Sequence, residues 1–227
     1  MHRSLTRAVL LFAIVSLAVA STASAQLTET YRITFTNITR AQVISPPVVA
    51  THSIRASIFN VGEPASPELA GVAEDAMNDP LVAALDVNPE VHRVLVAGDG
   101  PIPPGESVTI EIEATSEFPR LSAVGMLVQT NDAFFGVDTF ALLGGPWRKI
   151  VMAPAYDAGS EENNELCAFI PGPPCGSAGV RATDNAEGFV YISNGMHGLA
   201  DDLPPERYDW RNPVMQVTII RTATTEG

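Results

Sequence analysis

The sequence lacks the motifs that most often identify a hydrolase or a nucleotide-binding enzyme. It contains no G-x-S-x-G nucleophile elbow, no H-E-x-x-H zinc motif and no P-loop. Only three histidines occur after residue 25, namely His52, His92 and His197. His52 and His197 stand in turn-like contexts, where a structural role is favoured over a catalytic one. These absences favour a protein without catalytic activity over an enzyme.

Basic residues are also scarce. Lysine and arginine together number 13, against 26 aspartates and glutamates, which gives a formal net charge of −13. A surface this acidic repels nucleic acid and anionic lipid headgroups, and it attracts cations. We therefore expect no nucleic-acid partner for this chain.

Long hydrophobic runs are limited to the N-terminus. The apolar run from Ala8 to Ala20 has about 13 residues, which is too short to span a bilayer comfortably. It follows a basic stretch and precedes an A-x-A site at Ala23-Ser24-Ala25, the pattern of a secretory signal peptide. The sequence predicts a signal peptide at 1–25 and one domain at 26–227. The product would be secreted or periplasmic, without membrane insertion.

The chain has only two cysteines, Cys167 and Cys175. Two cysteines in an exported protein most often form a disulfide, so we expect this pair to be bonded. The bridge would close a loop of about nine residues, worth about 2.5 kcal/mol in the chain-entropy description. Free thiols or a metal pair are the alternatives.

Alternation of apolar and polar residues is the main structural signal that is present. It is clearest from Ser107 to Glu113 and recurs from Tyr31 to Thr36, as in half-buried strands. Further apolar runs predict strands at 48–50, 56–59, 91–97, 121–128, 133–143, 149–156, 189–193 and 214–222. With eight to ten strands in total, we expect an all-β protein built as an antiparallel β-sandwich with long loops.

One short peripheral helix is expected beside these strands. Ser66-Pro67-Glu68 combines an N-cap residue, a proline at the first helical position and an early acid. Apolar residues at helical spacing then extend the helix to about Met77. A second helical turn is predicted around Leu81 to Leu85.

Two acidic turns follow the ends of predicted strands. The strand that ends at Val128 leads into Gln129-Thr130-Asn131-Asp132, and the apolar run 149–156 leads into Asp157. Carboxylates on loops at one end of a β-sandwich are a typical oxygen-rich setting for Ca²⁺, which takes six to eight hard ligands. The alternative is that these are solvated turn residues, because Asp and Asn favour turns for local reasons.

The amino-acid sequence of these segments resembles the spondin N-terminal domain family, and in particular its stand-alone secreted bacterial forms. The resemblance covers nearly all of the chain after residue 25. In chain order it is carried by YRITFTNIT, VVATH, LAGVAEDA, MLVQTNDAFFGVD, AYDAGSEENNE, CAFIPGPPCG, GFVYISNGMHG and DWRNPVMQVTIIR. It implies a calcium-binding β-sandwich, similar to C2 domains, that is found outside cells in matrix and adhesion proteins.

The resemblance also implies a set of metal ligands. Asp132 matches the aspartate of the family's first acidic turn, and Asp157 matches the aspartate that precedes Ala-Gly in the second. Glu161 falls where the animal domains commonly have another aspartate, and its side chain is longer by one methylene. The expected cofactor is one Ca²⁺ held by Asp132, Asp157 and Glu161.

Two functions of different classes are therefore expected. The first is a secreted calcium-binding module for adhesion, matrix or surface interaction, without catalysis. Its partner would be an extracellular or cell-surface protein or a polysaccharide. The alternative is an extracytoplasmic hydrolase that uses a metal or a pair of carboxylates. A formal N-glycosylation sequon, Asn37-Ile38-Thr39, lies at the end of a predicted strand.

Overall fold

Ten β-strands form two antiparallel sheets in a computed structural model of the chain, which describes residues 27–226. The predicted signal peptide at 1–25 lies outside the described residues. In chain order the strands are β1 (Leu27–Asn37), β2 (Val48–His52), β3 (Val91–Val96), β4 (Ser107–Thr115), β5 (Arg120–Met126), β6 (Ala133–Ala141), β7 (Arg148–Ala153), β8 (Ala155–Asp157), β9 (Tyr191–Ile192) and β10 (Met215–Glu226). The predicted all-β antiparallel sandwich is confirmed.

The two sheets differ in size and in order. The smaller sheet has the order β4-β1-β10-β7, and the larger has the order β3-β2-β5-β6-β8-β9. In β1 the alternate residues Tyr31, Ile33 and Phe35 are buried between the sheets, as the period-two pattern predicts. The Phe35 ring lies 6.1 Å from the ring of Phe135 on β6, which belongs to the facing sheet. The main core therefore lies between the sheets.

The central part of the larger sheet, formed by β2, β5 and the first half of β6, is buried on both faces. Its second face is covered by helices α1 (Pro67–Asp75) and α2 (Asn78–Asp86), whose apolar side chains pack against Val48, Val124 and Phe134 of the sheet. All five residues of β2 are consequently buried. Because neither face meets solvent, strands of this sheet appear in the sequence as continuous apolar runs and not as alternating ones.

Helix α1 begins where the sequence predicts. The Ser66 hydroxyl accepts a hydrogen bond of 3.1 Å from the backbone nitrogen of Leu69, and Pro67 occupies the first helical position. The helix ends because Ala76 adopts a left-handed conformation with φ 54°. A short third helix, α3, spans Pro205–Tyr208. No helix within residues 27–226 is long and apolar enough to cross a membrane.

One apolar run predicted as a single strand is divided between the two sheets. Residues 148–153 form β7 in the smaller sheet, whereas 155–157 form β8 in the larger one. Pro154 lies between them, and a proline cannot donate a hydrogen bond to a strand ladder. The chain changes sheet at this proline, so that the end of β8 lies next to the start of β6.

The predicted strand at 56–59 is wrong. The segment is irregular, and both of its large apolar residues, Ile58 and Phe59, are buried. The Phe59 ring packs against Phe134 at 5.2 Å and Tyr156 at 4.8 Å. Apolar side chains of an irregular segment therefore fill the core in the way that a strand would.

The predicted disulfide is confirmed. Cys167 and Cys175 are joined, with their Cα atoms 4.8 Å apart. They lie in a long segment between β8 and β9 that has no regular structure except a 3-10 helix at Cys167–Phe169. This segment, residues 158–190, is called the insertion loop below, and it agrees with the long loops expected from the sequence.

Candidate metal centre

The strand register brings the two predicted acidic turns together. Strands β6 and β8 are antiparallel neighbours, and Ala133 at the start of β6 pairs with Asp157 at the end of β8. Asp132 immediately precedes that pair. The backbone nitrogen of Ala158 donates a hydrogen bond of 3.1 Å to the backbone oxygen of Asp132, which fixes the second turn beside the first.

Asp132 is fully buried, and its two carboxylate oxygens differ sharply in their surroundings. Oδ2 accepts hydrogen bonds from the backbone nitrogens of Ser160 at 2.8 Å and Glu161 at 3.0 Å, and from the Ser160 hydroxyl at 3.2 Å. Oδ1 is equally buried but has no hydrogen-bond partner within the described residues. An unsatisfied buried acceptor is costly, and it is more costly when charged. Asp132 thus holds the second turn with one oxygen and leaves the other available.

Asp157 is held in place by its own turn. Its Oδ1 accepts a hydrogen bond of 2.8 Å from the backbone nitrogen of Gly159, and its Oδ2 accepts one of 2.9 Å from the Asn163 side chain. The same Asn163 amide nitrogen lies 2.9 Å from the Tyr191 hydroxyl and 3.1 Å from a Glu187 oxygen. The Asp157 carboxylate is therefore held in position by the Gly159 backbone and by the Asn163 side chain, and Asn163 in turn contacts Tyr191 and Glu187.

Glu161 donates a hydrogen bond from its backbone nitrogen to the Asp132 carboxylate, and the charge of its own carboxylate is one cause of the raised pKa of Asp132, but Glu161 Oε1 is bound to another segment. Glu161 Oε1 accepts a hydrogen bond of 3.0 Å from the backbone nitrogen of Ala182, and its electrostatic neighbours include Glu74 and Arg181. The structure therefore brings Asp132 and Asp157 together as predicted. It places the Glu161 side chain against the 179–182 segment.

Burial raises the pKa of all three predicted ligands. The pKa of Asp132 lies well above its ordinary value because of burial and the adjacent Asp157 carboxylate. Burial, together with the charge of Glu187, raises the pKa of Asp157 to about 6. Burial, together with the charge of Glu74, raises the pKa of Glu161 to about 7. Each carboxyl group is thus in surroundings that disfavour its charged form. A bound cation would favour the charged form and lower the pKa again.

An acidic cleft of about 330 Å³ opens beside Asp157. Four carboxylate residues line it and no lysine or arginine does; they are Asp157, Glu162, Glu165 and Glu187. Sequence reasoning missed Glu165, Glu187 and Tyr191 as members of this region. Glu165 and Glu187 lie within the irregular segment between β8 and β9, and Tyr191 lies just after it. No periodicity there indicates which side chains return to the turns.

Glu165 organises one wall of this cleft. Its backbone φ is +57°, which is uncommon for a residue other than glycine. Its carboxylate accepts hydrogen bonds from the backbone nitrogens of His197 at 2.5 Å and Leu199 at 2.8 Å, and its own nitrogen donates to Asn131 Oδ1 at 3.2 Å. Asn131 directly precedes Asp132, so Glu165 links the first acidic turn to the loop 195–199.

The donor set suits a hard cation that accepts mixed oxygen ligands. Within residues 27–226 no three Asp, Glu, His or Cys side chains gather closely enough to form a metal site by themselves. Calcium also takes oxygen from backbone carbonyls, amides and water, so two carboxylates are compatible with it. The side chains that contact Asp132 and Asp157 offer hydroxyl and amide groups, with no thiolate or imidazole among them. This chemistry fits Ca²⁺ better than zinc.

His52 has structural partners. Its ring nitrogens lie 2.7 Å from the backbone oxygen of Ser53 and 2.8 Å from the Ser122 hydroxyl. Ser122 is fully buried, and its hydroxyl also accepts a hydrogen bond from the backbone nitrogen of Thr139. A serine in this position is closed to a substrate, so the His52–Ser122 pair does not form a hydrolytic centre.

No protein-family model matches the chain, and no curated protein matches it either.

Proposed function

We propose that this chain is a secreted calcium-binding β-sandwich module of the spondin N-terminal type, which acts by surface interaction and not by catalysis. The metal would bind where the turns after β5 and β8 meet. The bound ion would fix these turns and the insertion loop that follows them, so that they form a rigid surface for a partner.

One observation carries the calcium assignment. Asp132 Oδ1 is a buried carboxylate oxygen without a hydrogen-bond donor, next to a second buried carboxylate on Asp157. Leaving such an atom unmatched costs about 1–3 kcal/mol or more in a folded protein. A divalent cation would satisfy this oxygen and neutralise both carboxylates at once.

The neighbouring contacts support a role in holding loops. Asp132 Oδ2 already binds the turn from Ser160 to Glu161, and Asp157 binds Gly159 and Asn163 of the same region. Calcium would supply the missing positive charge between the two aspartates when bound. Magnesium would fit less well, because it demands a strict octahedral arrangement and loses its water reluctantly.

Three further features support a secreted module. The sequence at 1–25 has the pattern of a signal peptide, and the Cys167–Cys175 disulfide is typical of oxidising compartments. The resemblance to the spondin N-terminal family extends over nearly the whole domain and includes both aspartates. Extracellular calcium concentrations would also suit a site with few carboxylate ligands.

A hydrolase is the second candidate, and one observation favours it. Asp157 lines an open cleft together with Glu187, and its pKa is raised to about 6, which is a feature of carboxyl groups in acid–base catalysis. A screen of glycoside, ester and peptide hydrolysis with wild type and Asp157→Asn tests this candidate. Activity that is lost in Asp157→Asn, with or without Ca²⁺, would replace the binding-module proposal.

Thermal unfolding with and without Ca²⁺ tests the proposed site. At a hundredfold excess over Kd, calcium should add about 2.7 kcal/mol and raise Tm by roughly 5–10 °C. Asp132→Asn should abolish this rise, yet without calcium it should leave Tm unchanged or higher, because it removes a buried charge. The exposed Asp99→Asn is the matched control and should keep the full response. A calcium response retained in Asp132→Asn would refute the site.

A further inference from the structure

A second cleft, larger than the first, lies between the disulfide loop 167–175 and helix α3. Its volume is about 830 Å³, and it shares no lining residue with the acidic cleft beside Asp157. Its walls carry two arginines, Arg40 and Arg207, and one acidic residue, Glu206. Four prolines also line it, namely Pro104, Pro173, Pro174 and Pro204. The metal proposal does not use any of these residues.

The two arginines have no carboxylate partner in the described chain. The ion pairs among residues 27–226 involve six arginines, and neither Arg40 nor Arg207 is among them. The chain has twice as many acidic as basic residues, so partners for an arginine are plentiful. Two exposed guanidinium groups therefore line one cleft without an ion pair to either of them within the described residues. The single acidic residue of the lining, Glu206, leaves the charge of the cleft net positive.

Both guanidinium groups are nevertheless held by contacts that leave their charge unpaired. Arg40 donates a hydrogen bond of 2.7 Å to the backbone oxygen of Glu206, which places it beside Arg207 in the chain. The Arg207 guanidinium lies 5.1 Å from the centre of the Tyr208 ring, in a cation–π contact. Because their positions are set in advance, less side-chain entropy is lost when they bind an anion.

The opposite wall is equally well fixed. Pro173 and Pro174 lie inside the loop closed by the Cys167–Cys175 disulfide. The Pro173 backbone oxygen accepts a hydrogen bond of 3.2 Å from the Gln129 side chain, and Gly172 approaches Val128 so closely that a Cβ would lie 2.4 Å from the Val128 oxygen. The cleft is thus formed before any ligand enters.

We propose that this cleft binds an acidic, extended peptide segment of a partner protein. The guanidinium groups would receive carboxylates, which arginine binds in a two-pronged geometry, and the proline rings would pack against the aliphatic parts of the segment. A polysaccharide is disfavoured because the cleft has no exposed aromatic platform for sugar rings; its Tyr208 is only 7% exposed. The proposal does not depend on calcium.

A titration followed by NMR tests this cleft with a defined probe. Synthetic hexaglutamate, capped at both ends, is added to the isotope-labelled protein in 50 mM salt, and capped hexaglutamine is the uncharged control. Calcium is omitted because the acidic peptide would chelate it. We expect saturable shifts in the Arg40 and Arg207 side-chain signals and around residues 172–174. Hexaglutamine should cause none.

Three arginine variants identify the binding groups. Arg40→Gln and Arg207→Gln should each weaken binding roughly three- to fivefold, as expected for one exposed guanidinium–carboxylate pair. Arg32→Gln, which removes an exposed arginine of the smaller sheet that already pairs with Glu111, should leave binding unchanged. Equal Tm values would verify that all three variants remain folded.

Three results would overturn the proposal. The first is the absence of saturable binding at millimolar hexaglutamate. The second is an equal loss of binding in Arg32→Gln. The third is binding of polygalacturonate, with loss in Arg40→Gln and Arg207→Gln, when hexaglutamate does not bind. That outcome would assign the cleft to an acidic polysaccharide.

Discussion

The Oδ2 atom of Asp132 accepts a hydrogen bond of 3.0 Å from the backbone nitrogen of Glu161, whereas the Glu161 carboxylate binds the backbone nitrogen of Ala182. Asp132 therefore holds the backbone of Glu161 and not its side chain. The other oxygen of Asp132, Oδ1, is buried and has no hydrogen-bond partner among residues 27–226. The proposed centre depends on the turn that carries Gly159 to Glu161 staying in place.

Gly159 is predicted to be essential to that turn. Its φ is +63°, and a Cβ would lie 2.3 Å from the backbone oxygen of Phe189. Gly159→Ala should lower the free energy of unfolding by roughly 2–4 kcal/mol, since steric overlap adds to backbone strain, and it should weaken calcium binding. Urea denaturation with and without Ca²⁺ measures both effects.

Gly62→Ala is the matched control for Gly159→Ala. Gly62 has a φ of +90°, but nothing lies within 4 Å of its Cβ position. Gly62→Ala should lower the free energy of unfolding by only about 1–2 kcal/mol, from backbone strain alone, and should bind calcium normally. If the two variants behave alike, the close contact with Phe189 does not shape the site.

Stability without calcium should decrease as pH rises. The folded-state pKa values of Asp157, about 6, and Glu161, about 7, lie above the ordinary values of 3.8 and 4.5. The folded protein therefore binds these protons more tightly than the unfolded chain, and that stability is lost as pH passes through the folded-state pKa. Between about pH 5 and 8 the free energy of unfolding should fall by an amount on the order of 2 kcal/mol.

Comparison with Asp157→Asn isolates the contribution of this carboxylate. Burial lowers the pKa of His52, so this residue makes stability rise with pH. That contribution is the same in wild type and in Asp157→Asn, and the comparison cancels it. The free energy of unfolding of Asp157→Asn should decline less steeply than that of wild type between pH 5 and 7. Saturating Ca²⁺ should remove the part of the decline that comes from Asp157 in wild type, because the ion competes with protons for this carboxylate. Identical pH profiles for the two proteins would contradict the raised pKa of Asp157.

Asn37 is predicted to be a structural residue and not a glycan acceptor. It is fully buried, and its side-chain nitrogen donates to the backbone oxygens of Gln42 at 2.7 Å and Ile102 at 2.9 Å. Its side-chain oxygen accepts hydrogen bonds from the backbone nitrogen and the hydroxyl of Thr39. Asn37→Ala should cost about 2–4 kcal/mol, because it removes these four hydrogen bonds from a buried position. The exposed Asn60→Ala should change stability by less than about 0.5 kcal/mol. A glycan found by mass spectrometry on Asn37 of folded protein would refute this assignment.

The sequence predicted the strands best where only one face is buried. In β4 and β1 polar residues alternate with apolar ones, and both strands are found where that alternation occurs. In the larger sheet the helices cover the second face, so β2 carries no alternation. Phe59 shows the limit of apolar content alone, because a side chain from an irregular segment fills the core just as well as one from a strand.

The site was predictable only as far as the local chain determines it. Asp132 directly precedes β6 and Asp157 ends β8, and the pairing of these two strands brings the residues together. The direction of the Glu161 side chain depends on Ala182, and the position of Glu165 depends on the loop 195–199. Both contacts join the insertion to distant segments, and no short-range pattern in the sequence encodes such pairings.

Calorimetric titration of Ca²⁺ into chelator-treated protein tests the central claim most directly. Wild type should bind one ion, Asp132→Asn should bind none in the same concentration range, and Asp99→Asn should match wild type. Magnesium at equal concentration should bind more weakly. The absence of binding to wild type at millimolar Ca²⁺, or unchanged binding to Asp132→Asn, would contradict the assignment of the buried Asp132 carboxylate as a calcium ligand.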